Sequence, residues 1–165
     1  MATRVFILQA DNLTLANQPV TLAFINPAAA PNFGIEIMQV DVSQAGTATS
    51  AQQRIQLVTQ VTAFPTLVSA TPQKTELADP NASIIAGGTA GAAGTCGVNA
   101  SAEGAGTKTV RYATDFNNLN GFLWCPPPEG RIKLPAGLAS GFGVFLPAAP
   151  TVLTGWAVSV MFREY

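Results

Sequence analysis

The sequence predicts an all-β single domain built as an antiparallel sandwich, and three observations carry that expectation. The chain closes on Trp156-Ala157-Val158-Ser159-Val160-Met161-Phe162-Arg163-Glu164-Tyr165, in which the even positions through Phe162 are Trp, Val, Val and Phe and the odd ones Ala, Ser, Met and Arg. That is the two-residue period of a strand with one buried face. Similar β-rich runs recur along the chain between Gly, Pro and Asn punctuation, the spacing of a sandwich or barrel. No segment carries the 3.6-residue period of an amphipathic helix, and there is no internal repeat. A strand that closes the chain has no tail to cover it, so it is expected to pair between neighbours or dock against another subunit.

Taken in order, Val5 to Leu8 and Val20 to Ile25 are short β-rich runs separated by Asp11-Asn12, and Asn26-Pro27 ends the second. Ala28-Ala29-Ala30-Pro31 reads as a linker, so residues 1–31 are expected to form an N-terminal arm and residues 32–165 the main body. Ile35 to Val42 and Arg54 to Phe64 are longer strands, the second with Ile55, Leu57, Thr59 and Val61 on one face. Pro65 and Pro72 confine Leu67-Val68-Ser69-Ala70 to a short edge strand. Residues 80–107 hold seven Gly, eight Ala and one charge, Glu103, and lose both periodicities, which predicts a long ordered loop or inter-subunit lid. Thr107 to Tyr112 restores strand character, Asn120-Gly121 supplies a tight turn with positive φ, and Phe122-Leu123-Trp124 begins the next strand. After Cys125-Pro126-Pro127-Pro128, Arg131 to Leu134 and Phe142 to Leu146 are strands around a turn at Gly137 to Gly141.

At 165 residues the chain can bury a core without disulfides. Eight Lys and Arg and nine Asp and Glu make up only 10% of it, with a net charge of −1, while 48% is hydrophobic; average soluble proteins carry roughly 25% charged residues. A surface that sparse in charge is expected to be covered by copies of itself or by partners; an ordinary Ala/Gly-rich monomer is the competing reading. The cations are dispersed singly, which argues against nucleic acid. No stretch of about 18 apolar residues exists, and the N-terminal apolar core is too short for a signal peptide. Synthesis in the cytoplasm, without a membrane, is the expectation. Cys96 and Cys125 lack CxxC spacing and are expected to be reduced structural thiols, with a disulfide open after release into an oxidising medium.

The chain has no histidine. Ser-His-Asp and Cys-His arrangements are therefore ruled out, along with most catalytic zinc sites. Asp115, Asn117 and Asn120 are spaced wrongly for a calcium loop and read as an Asn-rich turn. Gly104-Ala105-Gly106-Thr107-Lys108 lacks the spacing and the following helix of a phosphate loop. Asn12, Asn81 and Asn99 begin glycosylation tripeptides without a secretory signal. Tyr112, Trp124 and Tyr165 can stack on a sugar or protein, although Trp124 sits in a hydrophobic run and reads as core. No enzyme activity and no cofactor are expected.

Ile35-Glu36-Ile37-Met38-Gln39-Val40-Asp41-Val42-Ser43-Gln44, Arg54 to Gln60, Phe116-Asn117-Asn118-Leu119-Asn120-Gly121-Phe122-Leu123-Trp124 and the closing Trp156 to Glu164 together set a pattern of strand order. Over residues 35–165 it resembles the small jelly-roll decoration, or cement, proteins of tailed bacteriophage capsids. The resemblance implies a jelly-roll-like antiparallel β-sandwich with an N-terminal arm. It also implies a homotrimer on the outer capsid surface that clamps neighbouring copies of the major capsid protein. Val5, Phe6, Leu8, Trp156, Phe162 and Tyr165 are then the candidate trimer and partner contacts. The alternative is a trimeric receptor-binding head of a phage tail or fibre, whose loops recognise a surface sugar or protein.

Overall fold

In the computed structural model, residues 4–27, 33–86, 93–137 and 140–165 are described. Thirteen strands follow one another: β1 (Arg4–Leu13), β2 (Val20–Ile25), β3 (Ile35–Gln44), β4 (Gln52–Val61), β5 (Thr66–Ser69), β6 (Gln73–Lys74), β7 (Ile85–Ala86), β8 (Thr95–Ala102), β9 (Thr107–Asn117), β10 (Phe122–Trp124), β11 (Ile132–Leu134), β12 (Ser140–Leu146) and β13 (Trp156–Glu164). Among the described residues the only helical element is one 3₁₀ turn at Pro128–Gly130, where Pro126-Pro127-Pro128 withholds the backbone donors a strand needs.

Two sheets result. The first runs β6-β1-β13-β3, with β10 and β11 end to end along the far edge of β3; the second runs β5-β8-β2-β12-β4-β9, with β7 alongside β8. The pairing is that of one long antiparallel hairpin rolled up: β1 pairs with β13, β2 with β12, β3 with β10 and β11, and β4 with β9. Successive pairs fall alternately in the two sheets, which is the topology of a jelly roll. The segment between β4 and β9 is an insertion at the tip of that hairpin; it adds β5, β7 and β8 to the second sheet and β6 to the first.

Period-two patterning places the core between the sheets. Phe6 and Leu8 of β1, Ile35 and Ile37 of β3, and Trp156, Val160 and Phe162 of β13 face Ile25, Ile55, Leu57, Phe142 and Val144 of the second sheet, all fully buried. Each such side chain contributes roughly 1.5–3 kcal/mol, so this layer dominates the stability. β13 is internal, with β1 and β3 on its two sides.

Several expectations change. Residues 4–13 and 20–25 are not an arm: β1 lies between β13 and β6, and β2 lies between β12 and β8 with all six residues buried. Removing them would strip a partner from β13 and β6 in one sheet and from β12 and β8 in the other, so these short apolar runs are core strands. The Ala28 to Pro31 linker lies outside the described residues. Within 80–107, the loop expectation fails for Thr95–Ala102, which forms β8 by alternating Cys96, Val98 and Ala100 inward; residues 87–92 lie outside the described set. Strand β4 stops at Val61, which is exposed instead of sharing the face of Ile55, Leu57 and Thr59. Gly121 does adopt positive φ, 72°, at the turn into β10.

Candidate functional site

Phe6, Leu8, Trp156 and Phe162 are 0% exposed and so cannot be trimer or partner contacts. The Phe6 and Phe162 rings lie 5.7 Å apart inside the sandwich, and the Trp156 indole N–H donates to the Val152 carbonyl at 2.8 Å. Large apolar side chains in a strand belong to whichever face the core claims, and here the core claims these four. Val5 is half-buried on the outer face of the first sheet, and Tyr165 is exposed while its backbone exchanges hydrogen bonds with Gly34.

The outer faces of the two sheets differ. On the second sheet the Phe24 ring lies where a Cβ on Gly141 or Gly143 would be, and it packs on Phe64 at 5.4 Å. The turn after β8 completes this cover. Glu103 accepts hydrogen bonds from the Thr21 backbone and hydroxyl, the latter at 2.6 Å, and pairs with Lys108 at 3.2 Å. Lys108 in turn sits 4.7 Å over the Phe145 ring. Gly104 at φ 68° and Gly106 approach the 61–64 backbone so closely that no Cβ would fit. The run that superficially evokes a phosphate loop is therefore a turn pressed onto its own sheet.

On the first sheet the outward residues include Val5, Ile7 and Gln9 of β1, Ala157, Ser159 and Met161 of β13, Gln39 and Asp41 of β3, and Leu123 of β10 beside Asp41. Ladder register sets Ile7 opposite Met161 and Gln9 opposite Ser159, and Met161 opposite Gln39 and Ser159 opposite Asp41. All remain partly exposed, and among the described residues no hydrogen bond or ring contact ties these side chains to a covering segment. The Ile7, Met161 and Gln39 row is uncharged; Glu36, Arg163 and Lys133 stand to one side of it, and Asp41 in the next row and Asp11 to the other. Ile7 and Met161 are the contact candidates that side-chain size concealed, although the alternation of β13 already placed Met161 outward.

The lateral opening between β9 and β10/β11 is the third feature. Tyr112 approaches Phe122 and Trp124, both at 6.3 Å between ring centroids, and is 40% exposed, whereas Trp124 is buried as expected. Register slips between Leu57 and Val58, so that Arg111 is an extra residue in β9. Such a bulge re-aims a side chain, and the Arg111 Nε–H donates to the Thr59 hydroxyl at 2.9 Å. Nearby, the buried Glu36 carboxylate receives Arg131 at 3.0 Å and Arg163 at 2.6 Å, with Lys133 at 4.0 Å. Burial opposes its ionisation, but the hydrogen bonds from Arg163 and Arg131 and the charges of Arg163 and Lys133 outweigh that and hold its carboxyl below the usual value.

Among the described residues no group of three or more Cys, Asp or Glu could hold a metal. Asp115 is held by Arg54 at 2.9 Å, Asn117 accepts from the Leu119 backbone, and buried Asn118 bonds Ala51, Gln44 and Thr49, so this segment is a hydrogen-bonded turn. Burial pushes the Cys96 thiol up to about 12, and its sulfur donates to the Ala70 carbonyl, while Cys125 is exposed at the end of β10 in the other sheet. No family model, curated protein or solved structure matches this chain.

Proposed function

We propose that the chain is a viral structural protein, a decoration or cement protein that stabilises the outer face of a tailed-phage head as a homotrimer. The observation that carries this reading is the open outer face of the first sheet. Its Ile7, Met161 and Gln39 row is uncharged, and it belongs to a sandwich whose other outer face is covered at its centre by Phe24 and Phe64. The two sides of that row carry opposite charge, Arg163 and Lys133 against Asp11 and Asp41, which suits contact with further copies of the same chain. Three copies joined in this way present repeated surfaces to the major capsid protein, and multivalent contact raises affinity without a chemical step. The resemblance of residues 35–165 to decoration proteins supports the same reading.

A clamp that binds only the assembled shell stabilises it by mass action. Particles lacking the protein are expected to form and to release their genome at a lower temperature than complete ones, read by a dye-release melt. Particles that melt identically yet fail to adsorb to host cells would replace this reading with the receptor-binding head.

A further inference from the structure

The cleft between the free edge of β11 and the β9 bulge has a volume of about 350 Å³ and is lined by Thr59, Arg111, Arg131, Ile132, Leu134 and Ser140, with Lys133 at its rim. Four of the chain's eight Lys and Arg, namely Arg111, Arg131, Lys133 and Arg163, gather around this corner. Among the described residues the one carboxylate that pairs with any of them is Glu36, and it is shared by Arg131, Lys133 and Arg163. Glu129 lies two residues from Arg131 and the chain terminus two from Arg163, but neither makes an ion pair with these cations. Arg111 therefore faces no carboxylate among the described residues. Its Nε is anchored on Thr59, which leaves the two terminal nitrogens to form a planar fork. Arg131 Nε is buried without a hydrogen-bond partner, a donor whose burial is expensive unless something fills the site.

We propose that this cleft binds a small organic carboxylate, gripped by the Arg111 fork. The guanidinium geometry matches two parallel hydrogen bonds to one carboxylate. Four cations gather around one carboxylate here, so the corner carries excess positive charge that attracts an anion, and the flat two-donor geometry of the Arg111 fork, not the charge count, favours a carboxylate over a phosphate. The volume lies at the lower end of the range for small-ligand sites. Ile132 and Leu134 supply apolar wall, and the Thr59 and Ser140 hydroxyls suit a hydroxylated remainder such as that of an acidic sugar. The β9 bulge makes the site possible, because without the extra residue Arg111 would not reach Thr59. This assignment concerns the lateral opening and does not depend on the capsid reading.

Isothermal titration calorimetry of the full-length protein at low ionic strength tests it, with sodium acetate, sodium glucuronate and inorganic phosphate as probes. Saturable binding of the carboxylates at one site per chain is expected, with phosphate weaker. Glucuronate exceeding acetate would place the source in an acidic sugar; equal affinity would place it in the carboxylate alone, and both support the site. Arg111→Lys, which keeps the charge and loses the fork, is expected to weaken binding at least tenfold. Thr59→Val, which keeps every charge and removes the anchor, should weaken it similarly, while Arg54→Ala should not. Circular dichroism melts confirm that each variant is folded. Non-saturable heats, phosphate binding tighter than both carboxylates, or equal affinity in wild type and Arg111→Lys would overturn the proposal.

Discussion

The two outer faces of this sandwich have opposite fates. The centre of the second sheet is roofed by its own chain: Phe24 fills the space that Gly141 and Gly143 leave open, Phe64 packs against it at a tilt, and the Glu103 turn is fastened to Thr21 and Lys108, while β9 along the edge stays largely exposed. The first sheet has comparable residues in its outward row, Val5, Ile7 and Met161, and no such roof. The difference teaches that this charge-poor chain covers one sheet with its own residues and leaves the other open, which is the basis of the proposed self-association. Apolar residues on the first face should matter for association, and those on the second for folding.

Adjacent residues of β13 sharpen that contrast most. Val160 points into the core and is fully buried, whereas Met161 points outward. Val160→Asp places an unpaired carboxylate between the sheets and is expected to abolish folding, by 4 kcal/mol or roughly more. Met161→Asp is expected to leave the chain folded and to reduce self-association; circular dichroism and size-exclusion chromatography read the two effects separately. Equal damage from both would contradict the assigned faces.

Phe24→Ala removes the roof of the second sheet and is expected to lower stability by about 3–4 kcal/mol in a denaturant melt, without changing the oligomer at temperatures where the chain is folded. Next in size is the Glu36 cluster. Glu36→Ala leaves three cations around an empty centre and is expected to cost about 3 kcal/mol, at the low end for buried pairs because Arg163 and Lys133 retain access to water. The pH dependence has a definite sign. The Glu36 carboxyl sits below its ordinary 4.5 in the folded chain and returns to that value on unfolding. Ionised Glu36 therefore stabilises the fold above pH 4.5, and the contribution is lost as pH falls through the lower folded value. Thermal melts between pH 7 and pH 3 are expected to fall more steeply for wild type than for Glu36→Gln. Asp115, lowered chiefly by its hydrogen bond from Arg54, acts in the same direction in both proteins and cancels from the comparison. Arg54→Ala, at a fully exposed pair, should show the smallest change of all.

Much of the architecture was legible in sequence because alternation reports which face a core claims. The even residues of β13, the inward row of β4 through Thr59 and the edge character of β5 follow from that pattern and from Pro65 and Pro72. Long-range pairing was not legible. Nothing local in Val20 to Ile25 distinguishes a separate arm from a strand seated between β12 and β8, since six consecutive apolar or small residues fit either. Strand β8 was hidden by its composition: Gly97 and Ala100 carry almost no β propensity, and only the spacing of Cys96, Val98 and Ala100 betrayed it. Four of the six contact candidates, Phe6, Leu8, Trp156 and Phe162, lie in the core for a related reason, while Val5 and Tyr165 do reach the surface. The largest apolar residues, Phe6, Trp156 and Phe162, were the ones a core would take first, which left the smaller Val5, Ile7 and Met161 outside. The Arg111 cleft depends on a register slip that no sequence spacing announces.

The central claim is that the open face of the first sheet is where copies of this chain meet. Sedimentation equilibrium at micromolar concentration tests it directly, with wild type beside Ile7→Asp/Met161→Asp. Wild type is expected at three times the 17.0 kDa chain mass, and the double variant, folded by circular dichroism, at one. A monomeric wild type, or a variant that remains trimeric, would contradict the account.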